Sequence, residues 1–402
     1  MDSAAVVAQL SGIALGSSRE LDRVCLETAA ALLADDVEPP FDVASADFAT
    51  DAYLICADRY WWQRFLRSPT IRTAAACARW LGDHIAEAHR VEIGHRWALG
   101  NAFVTRDNVE EISELAGDAL VDIIGNDGAA EDIAFFVTLY HAGKLRANFW
   151  HDALLQFLES APLANAAGPH RHESIFVALR AFGALGSRAI TAEHATGLVD
   201  QAWNDPHRTR DVVDICLNGL AMATPFDMQG ELLRDRAGAA VREYPDDHMF
   251  HFRLAQGRHL CADYGAALES VDTALRLLPA TGSRVSHGAL QEQYLSKRDT
   301  IQEGRLRARW DAELRQRWDR QEAANAELAR TVRSSSVRSI ELLAVFTAAI
   351  AFAVGSLQVT LTGSLSLRDR LWLLAAQGGV LAAFSLLVVG GTWLITRKSH
   401  RE

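Results

Sequence analysis

Two stretches near the C-terminus constrain this chain more than any other feature. After Glu341 the next charged residue is Arg368, and after Arg370 the next is Arg397, so two runs of 26 residues carry no charge. As helices, residues 342–361 and 371–396 are each long enough to cross a hydrocarbon layer of ~30 Å. A helix buried in a protein core is rarely apolar on every face for so long, and here two such runs follow one another. The nine residues 362–370 between them cannot hold a domain. The expectation is a transmembrane hairpin, with helices over 340–361 and 371–396.

Basic residues orient the hairpin. Arg330, Arg333 and Arg338 precede it and Arg397, Lys398 and Arg401 follow it, whereas the loop carries only Arg368 and Arg370. That bias places both termini on the cytoplasmic side of an inner (plasma) membrane. The apolar residues 4–15 have Asp2 and no basic group before them, so they read as an N-terminal helix and not as a secretory leader. On the second span Ala375, Gly379, Ala383 and Gly391 set small residues at spacings of four and eight, a stripe that lets helices approach closely. Gln358 and Gln377 lie in the same half of the hairpin. They are expected to hydrogen-bond, either as packing within one hairpin or along an assembly of several.

Charge divides the chain. Residues 1–296 hold 24 basic against 41 acidic side chains, and residues 297–402 hold 16 against 10. An acidic soluble part disfavours nucleic acid as a partner, while the basic part lies where it meets lipid headgroups. The five cysteines are scattered without CxxC spacing and read as reduced, mostly buried thiols.

The part before the hairpin reads as all-α. All nine prolines lie at or before Pro279, and Pro162, Pro169, Pro206, Pro225, Pro245 and Pro279 punctuate helix-length segments. Residues 109–124, 130–141, 149–159, 173–185 and 211–222 have amphipathic helical patterns, and no segment alternates as a strand does. From about 285 to 333 the chain is charged and free of proline, which predicts a helical stalk of ~70 Å. Trp310, Leu314, Gln321, Ala324 and Leu328 fit part of a coiled-coil pattern along it.

A shift of 34 residues maps Leu220 onto Leu254, Ala221 onto Ala255, Ala240 onto Ala274, Val241 onto Leu275 and Pro245 onto Pro279. This period and these residue types resemble the tetratricopeptide repeat over about residues 212–279. The clearest copy is 247–279, in which Leu254-Ala255, Ala267, Val271, Ala274 and Pro279 carry the likeness. The resemblance implies a degenerate α-solenoid of paired helices with a concave peptide groove. By position, that groove would be lined by Asn218 and Met222 in the first copy and by Phe252, Gln256 and His259 in the second. The whole reads as a helical region over 1–105, irregular helix pairs over 106–211, repeats over 212–279, the stalk and the hairpin.

No phosphate loop, dinucleotide fingerprint, HExxH or GxSxG occurs. His84, Glu87, His89 and Glu92 in one presumed helix, and His170 and His172 after Gly168-Pro169, are weak metal candidates and read as solvated faces. No catalytic, cofactor or metal site is therefore expected, although residues 1–160 leave room for an enzyme. The expected function is a membrane-anchored scaffold or sensor whose partners are the lipid bilayer, a protein or peptide, and a second copy of the chain. The alternative is a bacterial membrane effector, of the kind found in phage defence, whose hairpins assemble when the cytosolic domain is triggered.

Overall fold

The computed structural model describes residues 3–13, 18–112, 115–278, 284–361 and 366–399. Pro279, Arg401 and the loop residues 362–365, on which expectations above rest, lie outside the described residues, as do the side chains of Arg338, Glu341, Gly391, Arg397 and Lys398. Among the described residues the fold is all helical, with no strand and one isolated parallel bridge between Val43 and Ile85.

The helices are α1 (Ser3–Ile13), α2 (Ser18–Ala34), α3 (Ala52–Arg67), α4 (Ile71–His84), α5 (Glu87–Val104) and α6 (Asp118–Ile124). Then come α7 (Ala130–Ala147), α8 (His151–Ser160), α9 (Pro162–Ala166), a 3-10 turn (Gly168–His172), α10 (Ser174–Gly186) and α11 (Ala192–Trp203). The series ends with α12 (Arg210–Met222), α13 (Gln229–Glu243), α14 (His248–Leu260), α15 (Tyr264–Leu277), α16 (Arg284–Leu361) and α17 (Leu367–Ser399).

Side-chain caps start several of these helices. Asp51 accepts from the Tyr53 and Leu54 amides, Thr70 from Thr73, Asp247 from Met249 and Asp263 from Ala266, so donors that a helix start leaves orphaned are satisfied. Proline sets boundaries as expected: Pro162 opens α9, and Pro206, Pro225 and Pro245 fall between helices. Four of the five amphipathic segments are helices. The exception is 109–124, in which only Asp118–Ile124 is helical, after Gly117 at φ +57°. The presumed single helix through His84–Glu92 is also broken. The bridge at Ile85 ends α4, and α5 starts at Glu87.

The chain divides into two compact units, one up to Arg305 and one from Leu306. In the first, a continuous buried core runs from Val6 on α1 to Leu254 on α14. The aromatic run 60–65 belongs to it, with Tyr60, Trp61 and Phe65 buried and Trp62 partly exposed. Cys25, Cys56, Cys77 and Cys216 are buried free thiols and Cys261 is half-buried. Burial pushes Cys25 up to about 11 and Cys216 up to about 12, so these thiols stay protonated and unreactive. A smaller core joins Phe252, Ala255, Ala267, Val271 and Ala274 to Tyr294 and Ile301 of α16. The stretch expected to begin a solvated stalk therefore starts as part of the packed unit.

The second unit holds the rest of α16 and α17. Stalk and first apolar run form one continuous helix. Among the described residues no helix is long and apolar enough to cross a membrane. Both charge-free runs are described only in part, since the side chains at 359–365, 385, 388–389, 391–392 and 394–396 lie outside that set.

α13 and α14 approach each other most closely at Gly257. A Cβ at Gly257 would stand 2.5 Å from the Arg234 amide nitrogen and 2.7 Å from its Cα, and backbone cannot move aside as a side-chain tip can. Gly257→Ala should cost about 1–3 kcal/mol by overpacking. Gly238, whose nearest neighbour is the tip of Arg242 at 3.8 Å, should accept Ala with no loss. Thermal unfolding of the two variants checks this. Equal melting temperatures would mean that the α13–α14 contact is looser than described.

Candidate interaction surface and its buried charge node

Asp214 on α12 is the centre of a charged node inside the first unit. Its Oδ2 accepts from Arg146 Nη2 of α7 at 3.2 Å. Arg210 and Arg253 also lie within electrostatic reach. Burial opposes the carboxylate charge, but Arg146, Arg253 and Arg210 outweigh it and hold the Asp214 carboxyl below the usual range. Arg210 Nε donates to Asp247 Oδ2 at 2.8 Å, so the residue that caps α14 is also its partner. Asp211 completes the group, its carboxyl pushed up by burial. Three arginines thus face three aspartates and the interior stays neutral.

Arg253 ties this node to the expected groove. It is buried and donates from Nη2 to Asn218 Oδ1 at 2.8 Å and from Nη1 to Gln256 Oε1 at 3.0 Å. Both amides are thereby engaged inside the molecule. Phe252 is buried as well, with Tyr294 of α16 stacked on it at 4.3 Å. His259 Nδ1 meets Lys297 Nζ at 3.0 Å. Of the five groove positions only Met222 is well exposed, at 46%. Sequence matching missed Arg253 and Tyr294 of α16, which engage Asn218, Gln256 and Phe252 inside the molecule. The signal was present in Tyr294 and Ile301, seven apart in a charged stretch, a spacing that returns to the same helix face.

In the second unit the two helices meet through glycines other than the expected stripe. A Cβ on Gly378 would touch Phe352 at 3.6 Å, and one on Gly355 would collide with the Gln377 amide. Gln377 is accordingly half-buried between the helices, and Gln358 is exposed. Ala375, Gly379 and Ala383 are exposed, and nothing lies within 4 Å of a Cβ built on Gly379. These three residues of the stripe are on the outside of the pair.

The histidine candidates separate. His84 ends α4, stacks on Trp80 at 5.1 Å and pairs with Asp42 Oδ1 at 2.9 Å, away from Glu87, His89 and Glu92 on α5. His172 is exposed, while His170 is half-buried between two carboxylates. Among the described residues no group of three or more His, Cys, Asp or Glu is placed to hold a metal. No family model, no curated protein and no solved structure matches the chain.

Removing the carboxylate at the node should be severe. Asp214→Ala takes from the buried Arg146 and Arg253 the carboxylate they share and should cost about 3–5 kcal/mol. The pH dependence has a definite sign. Because the folded carboxyl titrates below its unfolded value of about 3.9, its contribution is complete above that pH and is lost as the pH falls through the folded value. Denaturant titrations of wild type and Asp214→Asn between pH 3 and 7 should converge at the acid end. Curves that stay parallel would remove Asp214 from the stability of the fold.

Proposed function

We propose that the chain is a membrane-anchored interaction protein, with a helical domain carried on a stalk and a two-helix hairpin. The observation that carries this reading is the exposure of large apolar side chains along the C-terminal helices. Leu343, Phe346, Ile350 and Val354 on α16 and Trp372, Val380, Leu386 and Leu387 on α17 are all exposed. They fall within the two charge-free runs. A water-soluble surface rarely exposes a contiguous apolar patch beyond a few hundred Å². In lipid the same helices keep every backbone group satisfied and bury those side chains.

The interaction half of the reading rests on the stalk. Trp310 is 70% and Trp318 71% exposed, with Leu314 between them on the same face and Leu328 further along. Large aromatics so placed are the usual anchors of a protein contact. The full chain should pellet with membranes and resist alkaline carbonate, while residues 1–333 should stay in the supernatant as a helical protein. A full chain that carbonate releases would end the anchor reading.

Assembly of several hairpins into a membrane effector is a second reading, favoured by the outward position of Gly379. Between helices in lipid, close packing drives association, and small residues permit it. Gly379→Leu should leave each hairpin intact and abolish chemical crosslinks between chains in membranes, whereas Gly355→Leu should disturb the hairpin itself. Wild-type chains that crosslink only as monomers at native abundance would leave the hairpin as a plain anchor.

A further inference from the structure

A cavity of about 280 Å³ lies between α4, α5, α7 and the 3-10 turn in the first unit, outside the node and the groove positions. Leu81, Phe136 and Leu139 supply apolar walls, and His95 of α5 lines it as well. His95 is only 4% exposed, and among the described residues neither ring nitrogen has a hydrogen-bond partner. Its ring meets Phe135 edge-on at 6.0 Å. Phe135 in turn stacks on His170 at 4.7 Å with the planes 16° apart, so the two rings form an aromatic side to the cavity. His170 is fixed by Asp132 at 2.9 Å and Glu173 at 2.5 Å. The turn that presents it starts at Gly168, at φ +55°, where a Cβ would strike the Glu131 carboxylate.

We infer that this cavity binds a small planar nitrogen heteroaromatic without negative charge, held by apolar and aromatic walls and hydrogen-bonded at its ring edge to His95. Size sets the first limit, since about 280 Å³ admits one ring or two fused rings with little to spare. His95 sets the second. A buried polar atom without a partner costs ~1–3 kcal/mol, so the His95 imidazole, with both nitrogens buried and unpartnered among the described residues, gains a partner when its ring turns toward a ligand in the cavity. Burial pushes His95 down to about 4, so at neutral pH the ring is uncharged and offers one donor and one acceptor. A ring nitrogen beside an N–H or amino group matches that pair. Charge sets the third limit. Glu87, Asp132 and Glu173 stand around the cavity, and the bases there are already engaged: Arg90 Nε donates to the Ile85 carbonyl at 2.9 Å, and His170 pairs with Asp132 and Glu173. An anion entering there meets net repulsion.

Saturation-transfer NMR on the full chain in detergent tests the inference, with benzimidazole and benzoate as probes and the detergent-only signal subtracted. Benzimidazole should receive saturation from the wild type, and benzoate at least tenfold less. Val91 is an exposed residue of the cavity lining, so Val91→Trp should close the opening and remove the benzimidazole signal without altering the circular dichroism spectrum. His95→Leu deletes unpaired polar atoms and leaves no donor or acceptor orphaned, so the protein should stay folded while benzimidazole affinity falls at least tenfold. Four outcomes overturn the inference: no benzimidazole signal at millimolar concentration, an equal benzoate signal, a signal that survives Val91→Trp, or unchanged affinity in His95→Leu.

Discussion

The interior of the helical unit is organised around a carboxylate that cannot be left alone. Asp214 sits among Arg146, Arg210 and Arg253, and these side chains come from α7, α12 and α14, which hydrophobic packing alone would allow to slide. Apolar contacts are tolerant of small rotations, because one methyl group replaces another at little cost. A guanidinium that must reach Asn218, Gln256 and the field of Asp214 together is not tolerant, since a lost hydrogen bond in the interior has no water to replace it. The node therefore selects one register among helix pairings of similar apolar burial. Asp247 extends the selection by serving Arg210 and the first turn of α14 at once.

The all-helical architecture was legible in the sequence, because apolar period, proline placement and capping residues are local signals that agree with one another. The positions of Pro162, Pro206, Pro225 and Pro245 predicted boundaries that the structure keeps. Two local readings failed for a physical reason. Residues 109–117 have helical apolar spacing yet form a loop, and His84–Glu92 has helical spacing yet breaks at Ile85. In the second case a main-chain contact with distant residue Val43 outweighs local propensity, as tertiary context often does.

The candidate site was less legible because its residues acquire their roles from partners far away in sequence. Asn218 and Gln256 have the right spacing to line a groove, but Arg253 engages both, and an arginine next to Phe252 looks from sequence like a surface residue. Phe252 was placed in the groove by the helix-pair resemblance, and Tyr294 of α16 covers it. His95 gave no signal at all. A single histidine on a mixed helix face is indistinguishable from any other until Phe135 and the His170 turn are brought against it.

The C-terminal helices show how the same residue type can serve opposite faces. A stripe such as Ala375, Gly379 and Ala383 says that something packs closely, without saying what. In the helix pair that close packing is instead supplied by Gly355 against Gln377 and Gly378 against Phe352, one residue round the helix from Gly379. One residue is a rotation of about 100°, enough to turn the stripe from the inner face to the outer one. The helix pair is closed by Gly355 and Gly378, and a second small-residue face at Ala375, Gly379 and Ala383 is left outward.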